Sequence, residues 1–123
     1  MKRVIIYSSD FSLCYSLLVY LQNHYKIVAT TDLDFINSFS LKNDFDAVFI
    51  DRELDSDLIK ICEKIKSKDS DIPIFLTYVF NKKASILESK VKNYVDEIFY
   101  KPFDLNEISS KLTKLLGQTA YYE

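Results

Sequence analysis

The sequence predicts an α/β fold in which a five-stranded parallel sheet, in the order 2-1-3-4-5, is covered by helices on both faces. Five short apolar runs alternate along the chain with segments whose apolar residues recur at helical spacing. The third run, 46–50, is apolar at every position after its first, which is typical of a parallel strand covered on both faces. The connections are short, which favours right-handed crossovers within one sheet.

The first half of the chain predicts strands at residues 4–7, 26–30 and 46–50, separated by two helices. A polar turn, Ser8-Ser9-Asp10, ends the first strand. The apolar side chains of the first helix are Leu13, Leu17, Tyr20 and Leu21. Those of the second, a brief helix that ends before Asn43, are Phe35, Ile36 and Phe39. This half therefore consists of three strands and two helices.

The second half predicts strands at residues 72–76 and 98–100 and three helices. Acidic residues begin helix three and lysines end it, an order that suits the helix dipole. Asp104, with Glu107 three residues later, resembles a capping box at the start of helix five. The apolar stripes are Leu58, Ile61, Cys62 and Ile65 in helix three, Ala84, Leu87, Val91 and Tyr94 or Val95 in helix four, and Leu105, Ile108, Leu112 and Leu115 in helix five.

The bulk composition is that of a globular domain. A chain of 123 residues fits one domain, which buries roughly 65% of its unfolded surface. A net charge of -2 gives no electrostatic case for binding nucleic acid or an anionic membrane. The longest apolar runs are too short to span a bilayer, so a cytoplasmic protein is expected. Cys14 and Cys62 fall at apolar helix positions, which favours packing over a disulfide.

Three polar residues lie just past predicted strands: Asp51, Thr77 and Lys101. In an open parallel sheet, side chains at the carboxyl ends of adjacent strands converge on one crevice, where such folds bind ligands and react. We therefore expect a carboxylate, a hydroxyl and an ammonium group to meet there.

Nucleotide chemistry is not indicated. The single glycine, Gly117, lies near the C-terminus, so the chain has no glycine-rich loop to hold a nucleotide phosphate. A flavin-binding enzyme would need a phosphate-binding loop after the first strand, and Ser8, Ser9 and Ser12 only faintly match one. No aromatic pair is placed for a flavin ring. We therefore do not expect a nucleotide- or flavin-binding enzyme.

Four motifs carry a resemblance to a known family: DAVFID at 46–51, IPIFLT at 72–77, KPF at 101–103 and LNEI at 105–108. Each motif is weak alone, but in this order and at these strand positions they are specific. The chain resembles a response-regulator receiver domain, the CheY-like version of the flavodoxin-like (βα)5 fold. The resemblance places this domain at residues 1–118, followed by a C-terminal tail.

The resemblance implies that Asp51 accepts a phosphoryl group from a phosphohistidine on a sensor histidine kinase or phosphotransfer protein. Lys101 would supply positive charge, and the Thr77 hydroxyl would hydrogen-bond a phosphoryl oxygen. Catalysis would extend at most to self-catalysed phosphotransfer and dephosphorylation. The implied partners are that kinase and a downstream protein target, with a possible homodimer through helix 4, strand 5 and helix 5. The domain bounds implied by the resemblance leave 119–123 as the predicted C-terminal tail.

The implied Mg²⁺ site departs from the family pattern. Receivers place two adjacent acidic residues at the end of strand one, where this chain reads Ser8-Ser9-Asp10. The alignment we prefer puts Ser8 and Ser9 at the acidic pair, and a one-residue slip would instead make Asp10 the second acid. The implied Mg²⁺ ligands are Asp51, Asp10 and the backbone carbonyl of Glu53, a site that is weakened or lost. The Glu53 side chain is either a replacement carboxylate or a solvated loop residue.

Two further departures from the family pattern are at Tyr78 and Ile98. Tyr78 stands where receivers have a small residue, so its ring could cover Asp51, and Ile98 stands where they have a mobile aromatic ring. The Lys101-Pro102 bond is expected to be cis, as is typical of the family. The leading hypothesis is a phosphorelay receiver with Asp51 as acceptor. The alternative is a pseudo-receiver, a protein-interaction module that works without phosphorylation.

Overall fold

The computed structural model describes residues 1–38 and 44–117. The strands form one parallel sheet in the predicted order, β2-β1-β3-β4-β5. They are β1 (Arg3–Ser8), β2 (Lys26–Thr30), β3 (Ala47–Asp51), β4 (Ile74–Val79) and β5 (Glu97–Lys101). The helices within the described residues are α1 (Phe11–Leu21), α2 (Asp34–Asn37), α3 (Ser56–Lys68), α4 (Ser85–Val91) and α5 (Leu105–Leu116).

Some expectations fall at the limits of this description. The predicted tail, 119–123, and Phe39 of the second predicted helix lie outside the described residues. Within the described part of the chain, no helix has the length and apolar character needed to cross a membrane.

The strands reach further than predicted at their carboxyl ends. Asp51 and Lys101 are the last residues of β3 and β5, and Thr77 is followed by two more residues of β4. Their polar side chains suggested strand ends, but the backbone continues to pair because ladder hydrogen bonds do not depend on the side chain. Strand β4 starts later than predicted, at Ile74. Pro73 before it has no N–H to donate, although its carbonyl accepts from the Val48 N–H at 3.0 Å.

Each face of the sheet has its own hydrophobic core. Alternate strand residues point to opposite faces, and helices cover both. On one face the rings of Phe49 and Phe75 stack against Phe99, with centroids 6.1 and 6.4 Å apart. The helical members of this core are Cys14, Leu17 and Leu21 of α1 and Ile108 and Leu112 of α5. The opposite core contains Leu58, Ile59, Cys62 and Ile65 of α3 and Val91 of α4.

Aspartates cap the N-termini of three of the helices. The carboxylate of Asp10 accepts from the backbone N–H groups of Ser12 and Leu13 at the start of α1. Asp55 accepts from Leu58 in α3, and Asp104 accepts from Asn106 in α5. Such caps satisfy backbone donors that have no partner within the helix, and each contributes about 1 kcal/mol. The predicted cap at Asp104 is confirmed, and Asp10 is already engaged by its own helix.

The two cysteines pack in the cores as expected. Both are free thiols, and both are buried. Burial raises the pKa of the Cys62 thiol to about 12, although nearby Lys66 acts in the opposite direction. The Cys62 thiol therefore stays protonated and unreactive at neutral pH.

Replacement of Phe99 by alanine should strongly destabilise the protein, because its buried ring joins the other two phenylalanines of this core. We expect the free energy of unfolding to fall by about 3–5 kcal/mol in urea titrations. Ile86→Ala is the matched control, since this side chain on α4 is 73% exposed, and it should change stability by less than about 0.5 kcal/mol. Equal effects of the two substitutions would contradict this account of the core.

Candidate functional site

Four polar residues continue one face of the sheet at its carboxyl edge. Ser8 of β1 is in register with Asp51 of β3, which is in register with Thr77 of β4. These three residues and Lys101 of β5 each lie two positions after a residue of the core that faces α1 and α5: Ile6, Phe49, Phe75 and Phe99. Because strand side chains alternate with a period of two, all four occupy that same face. Ser8 is therefore a fourth residue on the face where Asp51, Thr77 and Lys101 were predicted to converge.

Asp51 is buried and both of its carboxylate oxygens have partners. Its exposed fraction is 6%. The ammonium of Lys101 lies 2.8 Å from Oδ1, and the hydroxyl of Ser8 donates to Oδ2 at 2.7 Å. The Lys101-Pro102 peptide is cis, as predicted. The predicted pairing of Asp51 with Lys101 is therefore present in the structure.

Ser8 plays a part that the sequence did not reveal. It is fully buried, and its hydroxyl oxygen accepts from the Asp10 backbone N–H at 3.0 Å while the hydroxyl donates to Asp51. The sequence had marked Ser8 only as the place of a missing acid. The alternation Val4, Ile6, Ser8 was a signal that could have placed it beside Asp51. The structure agrees with the preferred alignment in that Ser8 is the residue in contact with Asp51.

Thr77 carries a buried hydroxyl without a partner. Among the described residues its Oγ1 is the buried side-chain oxygen for which no hydrogen bond is found, and the residue is fully buried. Its backbone carbonyl is engaged and accepts from the Arg52 N–H at 3.2 Å. A buried hydroxyl without a hydrogen bond costs about 1–3 kcal/mol, so a free one in a native fold needs an explanation.

A cavity of about 470 Å³ opens beside Asp51 and Lys101. It lies between the loop after β3 and the segment after β4, and two aromatic residues contribute to its wall. Besides Asp51 and Lys101, the lining residues are Arg52, Glu53, Leu54, Tyr78, Val79, Phe80 and Asn81, of which Tyr78 and Phe80 are the two aromatic residues. The guanidinium of Arg52 also lies 3.7 Å from the carboxylates of both Asp55 and Asp57. The cavity therefore offers space next to the Asp51 carboxylate, and its wall carries two acidic residues, Asp51 and Glu53, and two basic residues, Arg52 and Lys101.

The residues at this edge do not fit a Mg²⁺ ion. Mg²⁺ demands near-octahedral oxygen ligation and is usually held by one or two carboxylates. Within residues 1–38 and 44–117, no three His, Cys, Asp or Glu side chains are grouped closely enough to hold a metal. Asp10 is exposed and caps α1, and Glu53 is exposed at the cavity wall. Among the described residues, the structure does not group the Asp10 and Glu53 side chains with Asp51 into a cation site, and a ligand contact from the Glu53 backbone carbonyl stays a prediction.

Tyr78 lies on the opposite face of the sheet from the Asp51 carboxylate. It follows Thr77 directly within β4, so alternation turns its ring toward the core covered by α3 and α4. Its hydroxyl donates to Glu88 of α4 at 2.8 Å. Tyr78 is among the residues that line the cavity, but its side chain packs in the opposite core, so the expectation that its ring could cover Asp51 is not met. Ile98 packs on that same opposite core.

Two tyrosines share one carboxylate on that face. Tyr78 and Tyr100 both donate to Oε1 of Glu88. The hydrogen bond to Glu88, together with burial, raises the pKa of Tyr100 to about 12, while burial foremost raises that of Tyr78. Burial would raise the pKa of Glu88, but the two hydroxyl donors outweigh it and the net direction is down. The network ties α4 to β4 and β5, and sequence reasoning had not assigned Glu88 to it.

Comparison with known proteins rests on structure. No protein-family model matches the chain, and no curated protein matches it. The structure is similar to a two-component response regulator from Clostridium difficile, with a TM-score of 0.79 and 23% identity over 94% of this chain and 96% of that one. It is also similar to the N-terminal signal receiver domain of a response regulator from Bacteroides fragilis, with a TM-score of 0.76 and 16% identity over 91% and 93%.

The fold is that of a receiver domain. A putative pilus assembly protein from Burkholderia thailandensis has the same fold, with a TM-score of 0.79 and 18% identity over 96% of this chain and all of that chain. At these identities the likeness establishes the receiver fold and leaves function to the residues of the site. The predicted CheY-like architecture is confirmed.

The pKa of Tyr100 provides a test of the Glu88 network. We expect NMR titration of ring-labelled tyrosine to place it near 12, and Glu88→Gln to bring it back toward the ordinary 10.0, because the hydrogen-bonded charge is then lost. A raised pKa in the folded state stabilises the protein fully below the unfolded value. This contribution should therefore disappear as the pH rises from about 10 to about 12. An unchanged titration in Glu88→Gln would refute the network, and Tyr100→Phe assigns the signal.

Proposed function

We propose that this protein is the receiver domain of a two-component phosphorelay, in which Asp51 accepts a phosphoryl group from a phosphohistidine on a sensor kinase or phosphotransfer protein. The proposal is supported by a buried carboxylate in contact with an ammonium, beside a cavity large enough for the incoming group. The receiver fold raises the expectation of this chemistry, and the site residues carry the argument.

The free hydroxyl of Thr77 is the observation that carries the proposal. Thr77 is in register with Asp51 on the adjacent strand, about 4.8 Å away along the sheet. A phosphoryl group on Asp51 brings three strong acceptor oxygens to this edge. One of them gives the Thr77 hydroxyl the partner that it lacks in the unmodified protein. The unfavourable burial of this hydroxyl is then relieved in the phosphorylated state.

The bonds made and broken in the transfer balance as follows. One carboxylate oxygen of Asp51 attacks phosphorus and forms the new P–O bond. The P–N bond breaks, and the departing imidazole nitrogen keeps its electron pair and takes up a proton from solvent. An ionised carboxylate offers about four acceptor positions, so the contacts from Ser8 and Lys101 leave lone pairs for the attack. The Lys101 ammonium reduces the repulsion between the two anions.

Two exposed aromatic side chains near the site favour a protein as the donor. Phe11 begins α1 at this edge and is 71% exposed, and Phe80 at the cavity wall is 55% exposed. Exposed aromatic side chains are typical anchors of protein contacts. Signal output would pass through contacts with a downstream protein or through a homodimer formed by α4, β5 and α5, where Ile86 and Tyr100 are exposed.

A second candidate function is a protein-interaction module that works without phosphorylation. The hydrogen bond from Ser8 favours it, since each carboxylate oxygen of Asp51 already has one partner and the residue is almost closed to solvent in the unmodified protein. In that case the partner would recognise the unmodified surface. The two candidates differ in whether Asp51 ever carries a phosphoryl group.

Incubation with acetyl phosphate or phosphoramidate, with and without Mg²⁺, tests the first candidate. We expect intact-mass spectrometry to show the addition of one phosphoryl group, since Asp51 is the nucleophile with an ammonium beside it. Asp51→Asn should show none, and the exposed Asp34→Asn should react like the unchanged protein. If a folded protein stays unmodified with every donor, the interaction module is the better description.

Thr77→Val separates the resting state from the phosphorylated state. A methyl group in place of an unpaired buried hydroxyl should raise the free energy of unfolding of the unmodified protein by about 1–3 kcal/mol. The same change should speed hydrolysis of the aspartyl phosphate, because an oxygen contact is lost. Urea unfolding and the decay of the phosphorylated species measure the two effects. A loss of stability in the unmodified variant would show that the hydroxyl has a partner after all.

A further inference from the structure

A buried serine occupies the side of Asp51 that faces the start of α1. Its hydroxyl donates to Oδ2 of Asp51 at 2.7 Å and accepts from the Asp10 N–H at 3.0 Å. The Ser8 side chain has no exposed surface, and it lies directly across from Asp51 in the β1–β3 pairing. This chain of hydrogen bonds fixes the carboxylate to the backbone of the turn between β1 and α1.

The electrostatic balance around Asp51 is complete without a divalent cation. Lys101 supplies one positive charge at Oδ1, and Ser8 supplies a neutral donor at Oδ2. Arg52 also lines the cavity, but its guanidinium lies beside the carboxylates of Asp55 and Asp57. Asp10, the acidic residue nearest to Ser8 in sequence, already accepts from two N–H groups of α1. A divalent cation here would have to displace the Ser8 hydroxyl from Asp51. The other carboxylate at the cavity wall, that of Glu53, is exposed, and among the described residues no third ligating side chain is grouped with these two.

We infer that Ser8 is a positioning residue that takes the place of a divalent cation at Asp51, so that the site holds its carboxylate and accepts a phosphoryl group without Mg²⁺. The statement about phosphoryl acceptance rests on the function proposed above. The statement about cation binding does not, and it can be tested on the unmodified protein.

Cation binding is tested by thermal unfolding in millimolar MgCl2 and in EDTA at matched ionic strength. The unchanged protein should give the same midpoint in both, because nothing binds the folded state. Ser8→Asp should unfold at a lower temperature in EDTA, since two carboxylates then face each other, and should be stabilised by Mg²⁺ in a saturable way. Ser16→Asp is the matched control, because it adds the same charge at an exposed serine of α1 that neither alignment places at the acidic pair, and it should not respond.

One result in this experiment would overturn the inference about cation binding. It is a saturable Mg²⁺ stabilisation of the unchanged protein that Asp51→Asn removes. The titration of the unchanged protein decides this even if Ser8→Asp does not fold.

The phosphoryl step is tested by the rate of aspartyl phosphate formation from phosphoramidate. We expect the rates of the unchanged protein with Mg²⁺ and with EDTA to agree within about twofold, whereas Ser8→Asp should become dependent on Mg²⁺ by about tenfold or more. A merely structural serine would not confer such a change in cation dependence. Modification of the unchanged protein only with Mg²⁺ would overturn the inference and leave the proposed function intact. An absence of modification in every condition would overturn the proposed function, and the unfolding experiment would still decide cation binding.

Discussion

The alternation of side chains along the four strands β1, β3, β4 and β5 is the constraint that the site depends on. Parallel pairing holds Ser8, Asp51 and Thr77 side by side, and the period of two places them on the face that carries Phe49 and Phe75. The site is therefore an extension of a packed core, and its geometry is as rigid as that core. The same alternation sends Tyr78 to the other face, although it adjoins Thr77 in sequence. The Asp51 site and the hydrogen-bond network of Tyr78, Tyr100 and Glu88 therefore lie on opposite faces of the sheet.

Burial makes the Asp51–Lys101 pair asymmetric. The carboxylate is almost fully buried, whereas the Lys101 side chain is 33% exposed. An unpaired buried charge loses several kcal/mol of hydration, so the carboxylate depends on its partners far more than the ammonium does. Ser8 reduces that dependence, because a second hydrogen bond replaces part of the lost hydration without adding charge. The site can hold a carboxylate with a single cation beside it for this reason.

The sequence allowed prediction of what periodicity and strand ends determine. The strand order, the convergence of Asp51 and Lys101 and the cap at Asp104 follow from local patterns, and the structure has them. It did not reveal the bond from Ser8, because a serine at a strand end is equally common as an exposed turn residue. The side chain of Tyr78 was expected on the wrong face because the predicted strand ended at residue 76, so the alternation of faces was not extended to residue 78. Glu88 was missed because a helix pattern does not specify which strand residues it will contact.

Under the proposed function, phosphorylation of Asp51 would exchange hydrogen bonds of similar free energy. Attack by Oδ2 weakens the bond from Ser8, and a hydrogen bond to a charged group contributes about 1.5–3 kcal/mol. The incoming group offers a partner to the Thr77 hydroxyl and relieves a penalty of about 1–3 kcal/mol. Since these terms nearly cancel, the protein's own hydrogen bonds neither strongly drive nor strongly oppose the transfer. Under the proposed function, the driving force would then come from the P–N bond of the donor, and the phosphorylation of Asp51 would follow the supply of phosphorylated partner.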